Sequence, residues 1–308
     1  MTSAPEKAPA LTRFAWISIA AALATIGLKS AAYFYTGSVG FLSDAAESLV
    51  NLVGAVVALA MLTVAARPAD EEHAYGHSKA EYFSSGIEGT LILVAALSIA
   101  YAAVQRLLNP RELEQVGLGL IVSAAASLIN LGVGLLMIRV GKSRGSLALE
   151  ANGRHLMTDV WTSVGVITGV GAVALTGWNW LDPVVALGVA ANIIWTGYGI
   201  IHRSVEGLMD TGLPPEQQAL IQEILEDFRK GEIDFHALRT RQAGARAFAS
   251  FHVLVPADWT VQRGHDLVEE IETRLRTALP NLVVFTHLEP LTDPASWDDT
   301  SLDRPHPE

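Results

Sequence analysis

The stretch FLSDAAESLVNLVGAVVALAMLTVAA, residues 41–66, is apolar enough to lie in a lipid bilayer, yet it carries Asp44, Glu47 and Asn51. A transmembrane helix needs about 20 mostly apolar residues, which this run supplies. Ionised groups at membrane depth are costly and mark a binding site or a hydrated path. The stretch therefore predicts a spanning helix whose polar face meets a partner rather than lipid.

Further apolar runs occupy residues 14–35, 83–108, 116–140, 156–178 and 183–202, so six spanning helices are expected. Short breaks separate them: Thr36-Gly37-Ser38, Arg67-Pro68, Asn109-Pro110, Gly141 to Arg144, and the turn from Trp178 to Pro183. The composition agrees. Half of the 308 residues are hydrophobic and 17% are charged, against about 25% charged in soluble domains. The first run is too long for a cleaved signal peptide and is read as a retained helix. Lys7, Arg13, Arg67, Lys79, Arg139, Lys142, Arg144, Arg154 and Arg203 fall on one side of the spans, with only Arg106 and Arg111 on the other. The excess of basic residues marks the cytoplasmic side. Both termini are therefore expected in the cytoplasm, with the bilayer as the first partner.

The formal net charge of −11 argues against a nucleic-acid partner, because phosphate binding needs basic surface. The acidity is concentrated late, with 9 Lys/Arg against 17 Asp/Glu in residues 213–308. There is no cysteine, so disulfides and thiolate ligands are excluded and any metal is held by His, carboxylates, amides or backbone.

Four segments are expected: a tail over 1–13, a six-helix membrane domain over 14–210, a small α/β domain over 211–293 and a disordered acidic tail over 294–308. In the α/β domain, Leu220, Ile221, Ile224, Leu225 and Phe228 recur at helical spacing, as do Leu267, Val268, Ile271 and Leu275. Residues 248–255 alternate like a strand, 282–287 form a second and 235–241 are a candidate third.

Glu47 and Asn51 are one turn apart, so they share a helix face. His155 and Asp159 repeat that spacing at the start of the fifth run. If the two faces pack together, they surround one point with four groups, which suits a tetrahedral divalent ion. Alternatively, they are buried polar residues that satisfy one another. Asp44 lies one turn before Glu47 and is expected to line the ion path. Ala45, Ala46 and Gly54 would let another helix approach closely. Between the second and third runs, Asp70, His73 and His77 would share one face if that stretch were helical; otherwise it is a solvated charged loop. His236, His252, His265, His287 and Glu289 form a third group of candidate ligands, on separate elements of the α/β domain.

At these residues the chain resembles the cation diffusion facilitator family, and within it the bacterial iron/zinc efflux branch. Glu47-Ser-Leu-Val-Asn51 and His155-Leu-Met-Thr-Asp159 fall where that family places its transport-site pairs. Asp70, His73 and His77 look like its loop site. His236, His252, His265, His287 and Glu289 resemble its cytoplasmic binuclear site, and Lys79 and Asp210 match a charge interlock. The resemblance implies a homodimer in the bacterial inner membrane with a ferredoxin-like, metallochaperone-like C-terminal domain that senses metal. It also implies exchange of Zn2+, Fe2+, Mn2+, Co2+ or Cd2+ for protons, with Zn2+ first. The chain departs from the family in having Asn51 where a carboxylate is usual, and Glu289 where Asp is usual.

Two other functions compete with transport. A non-transporting membrane sensor or scaffold would keep the C-terminal histidines but need no ligand pairs at membrane depth. A metal-dependent membrane hydrolase would need a catalytic pattern beside an open metal position, and the chain contains no HExxH.

Overall fold

A chain in lipid has no water to satisfy its backbone, so every N–H and C=O of a spanning segment must pair within a helix or closed barrel. The computed structural model describes residues 8–36, 39–109, 117–178 and 180–298. Its apolar runs form six long helices: α1 (Ala8–Thr36), α2 (Val39–Ala65), α3 (Ala80–Leu108), α4 (Gly117–Arg144), α5 (Leu147–Thr176) and α6 (Leu181–Leu208). Among the described residues, Leu11–Ala31, Ala80–Leu108, Ala124–Arg144 and Pro183–Leu208 are long and apolar enough to cross a membrane, and Asn51–Ala65 is a shorter apolar helix. The helices overrun the apolar runs. α5 starts at Leu147 rather than 156, because Leu147 to His155 contains good helix formers although its hydropathy is lower.

The chain divides into two compact units, Met1–Glu206 and Gly207–Glu308. In the first, large apolar side chains point outward: Trp16, Leu97, Tyr101, Leu128 and Trp195 are all exposed. Ser18, Asn51, Glu88, Asn130, Asn152, His155 and Asp159 are buried. This polarity would be unfavourable in water and is natural in lipid. α5 packs against α3 and α4, α2 against α1, α3 and α5, and α1 against α4. Gly153 sits at the α4–α5 contact, where an added Cβ would meet the Gly134 carbonyl oxygen at 2.8 Å.

The second unit runs α7 (Pro215–Phe228), β1 (Asp234–Ala243), β2 (Arg246–Val255), α8 (Val261–Ala278) and β3 (Leu282–Pro290). This is the ferredoxin-like order short of its first strand. The candidate third strand is therefore real and is the first of the three. β1 and β2 form an antiparallel hairpin, and β3 joins β2 in parallel through the α8 crossover. Phe251, Val253 and Val255 on β2 pack with Ile221 and Leu225 of α7 and Ile271 and Leu275 of α8. The alternate residues of the strands face the other side.

The expectation of disorder from residue 294 fails at its start. Pro294–Ser296 form a short 3-10 helix. Ser296 Oγ donates to the Pro290 carbonyl at 2.9 Å and Trp297 Nε1 to the Leu291 carbonyl at 3.2 Å. Local capping by Asp293, which accepts from the Ala295 N–H at 3.0 Å, orders this turn despite its polar composition. Residues 299–308 lie outside the described residues.

Candidate functional site

α2 and α5 meet at the residues their spacing singled out. Asn51 Nδ2 donates to Asp159 Oδ2 at 2.5 Å, with both side chains buried. Asn51 faces inward because the opposite side of the helix, at Leu49, Val53 and Val56, is exposed toward lipid. Asp44 and Glu47 belong to α2, and their side chains lie outside the described residues. His155 lies one turn before Asp159 on α5 and is 6% exposed.

His155 has a partner that the sequence reading missed. Its Nδ1 lies 2.9 Å from Glu88 Oε2, a close contact not aligned as a hydrogen bond. Glu88 is fully buried on α3. Its Oε1 accepts from Asn152 Nδ2 at 2.8 Å, and Asn152 Oδ1 accepts from Ser18 Oγ at 2.6 Å. A chain of polar groups thus runs from α1 through α5 to α3. Gly54 of α2 leaves room for it, since a Cβ there would meet Glu88 Oε1 at 2.7 Å. A carboxylate facing one ring nitrogen is also how metal-binding imidazoles are commonly oriented. A carboxylate in the middle of an apolar run was the available signal for Glu88, of the same kind that singled out Glu47. Asn130 of α4 was also missed; its Nδ2 donates to Asp159 Oδ2 at 2.8 Å.

Another buried carboxylate, Glu150, joins α5 to α6. Glu150 accepts from Arg154 Nε at 3.0 Å and from Arg203 NH1 and NH2 at 3.1 and 3.0 Å. Arg203, which argued for membrane orientation, thus also ties α6 to α5, while Arg154 pairs with Glu150 within α5.

Asp70, His73 and His77 do come together, but not on a helix. They sit in the irregular segment between α2 and α3. Asp70 Oδ1 lies 3.2 Å from His73 Nδ1, and Oδ2 lies 3.2 Å from His77 Nε2. The His73 backbone N–H bonds Asp70 Oδ1 at 2.7 Å and is the main cause holding the Asp70 carboxyl below its ordinary pKa, with both imidazoles adding to it. The loop can turn back on itself because Gly76 takes φ 83°, outside the helical region.

In the C-terminal unit, strand register creates the cluster. His236 pairs with His252 across β1–β2, and His252 with His287 across β2–β3. Glu289 lies two residues beyond His287, on the same face. His236 Nε2 and His252 Nδ1 lie 2.9 and 3.2 Å from Glu289 Oε2, and 3.1 Å from each other. An ion about 1 Å above that triangle would be about 2.0 Å from each atom, within the range of zinc–nitrogen and zinc–oxygen bonds. His287 Nε2 lies 3.4 Å from Glu289 Oε1 and is more exposed. Immediately after His236, a β-bulge places Ala237 at φ 51°. Such strained bulges cluster beside functional sites. Trp297 stands edge-on to His236, with ring centroids 5.4 Å apart.

His265 does not join this group. It is exposed on α8, and α8 packs on the opposite face of the sheet, where Gly264 lies against Leu288. Leu288 alternates with His287 and Glu289, so its face is not theirs. Asp210, at φ 60°, pairs with Arg241 at 3.1 Å within its own unit.

Comparison with known proteins fits this architecture. The family model described as "Cation efflux transmembrane domain" matches residues 15–209, and "Cation efflux protein, cytoplasmic domain" matches 213–291. An uncharacterized transporter of Synechocystis sp. is 55% identical over 284 residues, covering 92% of each chain. The cation-efflux pump FieF of Shewanella oneidensis is 28% identical over 274 residues, 89% of this chain and 92% of that one. FieF of Klebsiella pneumoniae is 28% identical over 280 residues, 91% and 93% of the two chains. A solved structure of a candidate zinc transporter, CzrB, is 40% identical over 26% of this chain and 98% of that one, with a TM-score of 0.25. The helical membrane unit and the family matches define a cation-efflux transporter rather than an enzyme. The chain belongs to the cation diffusion facilitator family.

Proposed function

We propose that this protein exports divalent transition-metal cations from the cytoplasm in exchange for protons. Glu47, Asn51, His155 and Asp159 bind the cargo, and Asp44 lines the approach. The observation that carries this reading is the buried 2.5 Å contact between Asn51 and Asp159, which joins the polar faces of α2 and α5. Two carboxylates balance the charge of a dication. The donor set of one imidazole with carboxylate and amide oxygens suits Zn2+ and also accommodates Fe2+, Mn2+, Co2+ and Cd2+.

Ligands must be deprotonated to hold a metal, so loading from the cytoplasm releases protons and outward release takes them up. His155 is the natural carrier, because imidazole changes charge near neutral pH. Orientation follows the basic residues, with both termini in the cytoplasm of a bacterial inner membrane. The protein works as a homodimer paired through its C-terminal domains. Metal at His236, His252, His287 and Glu289 tightens that pairing and biases transport, which is a coupling between sites and requires different affinities in two states. Asp70, His73 and His77 form a third metal site.

The test is metal uptake into inverted vesicles carrying a pH-sensitive dye, one ion at a time. Wild type should show metal-driven proton flux, and His155→Ala should lose it. Equal proton flux in the variant, or none in wild type with any ion, overturns the proposal.

A further inference from the structure

Asp159 Oδ2 is approached from two sides by amide groups: Asn51 Nδ2 of α2 at 2.5 Å and Asn130 Nδ2 of α4 at 2.8 Å. The carbonyl ends of both amides, Asn51 Oδ1 and Asn130 Oδ1, are buried and have no hydrogen-bond partner among the described residues. Asn130 is 2% exposed and Asn51 3%. Buried side-chain carbonyls are normally paired, so two unpaired oxygens beside one carboxylate call for a ligand. A rotation about the last side-chain bond exchanges an amide's nitrogen and oxygen. It would set Asn130 Oδ1 close to where Nδ2 now lies, 2.8 Å from Asp159 Oδ2. Two oxygens that close repel one another unless a cation sits between them. Oxygens bound about 2.1 Å from one ion at right angles are about 3.0 Å apart.

We infer that Asn130 is a ligand of the transported cation, supplied by a third helix, and that it determines ion preference. The inference rests on the transport reading above. When the site is empty, the amide N–H groups of Asn51 and Asn130 satisfy Asp159; when it is loaded, their oxygens turn to the ion. Counting Glu47, the site then offers four side chains with oxygen donors and one nitrogen, more than a tetrahedral zinc site uses. Harder ions with higher coordination numbers, Mn2+ and Fe2+, gain most from the added oxygen. The close α4–α5 approach at Gly134 and Gly153 is what brings Asn130 within reach.

The test compares transport of Zn2+, Mn2+ and Fe2+ (the last under anaerobic conditions) by the full-length protein in proteoliposomes, for wild type, Asn130→Ala and Asn130→Asp. Asn130→Ala should raise KM for Mn2+ and Fe2+ by at least about tenfold and change that for Zn2+ much less. Asn130→Asp, which keeps an oxygen in place, should restore Mn2+ transport and also serves if the alanine variant fails to fold. An equal loss for all three ions would show that Asn130 only positions Asp159, and an unchanged ion ratio would show no role; either overturns the inference alone. Wild type that moves no divalent cation would instead overturn the transport reading.

Discussion

In the membrane unit, the large apolar side chains face outward and the polar ones are buried. In the C-terminal unit, Phe251, Val253, Ile271 and Leu275 are buried, and the candidate ligands lie on the opposite face of the sheet. Both units bring imidazole to a carboxylate, but by different rules. His155 reaches Glu88, and Asn51 reaches Asp159, only because separate helices pack side by side. His236, His252 and His287 are neighbours because a hydrogen-bonded ladder sets them in one row. A contact between helices can be remade by a small slide, whereas a contact across a ladder is lost only when strands part. The first construction suits a site that must load and release; the second suits one that must hold.

Four experiments put that contrast to the test. The largest effect is expected for Asp159→Ala, which removes the oxygen on which Asn51 and Asn130 converge. Transport should fall by more than about 100-fold, given that outer-shell changes alone typically cost 10–100-fold. Metal binding by the C-terminal unit, measured by competition with a chelating dye, should not change. If it falls too, the two sites are not independent constructions.

Glu289→Ala should act in reverse, weakening C-terminal metal binding by about 10–100-fold while transport at saturating metal stays near wild type. A transport loss as large as that of Asp159→Ala would mean the ladder site belongs to the cargo path.

Glu88→Leu removes the partner of His155 and Asn152. Leaving buried polar groups unsatisfied costs about 1–3 kcal/mol, which a thermal melt in detergent should detect. Glu88→Gln should recover most of that stability. A leucine variant as stable as wild type would mean that the bundle core does not depend on this polar chain.

The smallest effect is expected at the bulge. Ala237 at φ 51° takes a conformation that costs an L-residue about 1–2 kcal/mol. Ala237→Gly should stabilise the C-terminal unit by about 1 kcal/mol, read as its melting temperature, with little change in metal affinity. A loss of affinity would mean that the strain itself positions His236.

The elements and their faces are legible in the amino-acid sequence alone. Apolar runs made helices because lipid leaves the backbone no other partner, and alternation made strands. The one-turn spacing of Glu47 with Asn51, and of His155 with Asp159, was legible because it lies within single helices. Which element lies beside which follows from packing. That is why Glu88, Asn130 and Asn152 emerged only when α3, α4 and α5 packed around one point, and why Asp70, His73 and His77 met without a helix. It is also why His265 fell on the wrong face of a sheet whose register placed the other three histidines in a row. Spacing along one element constrains only the residues of that element; contacts between elements depend on close approach, here at Gly54 and Gly153, and a small residue such as Gly54 signals that a helix can approach without saying which one.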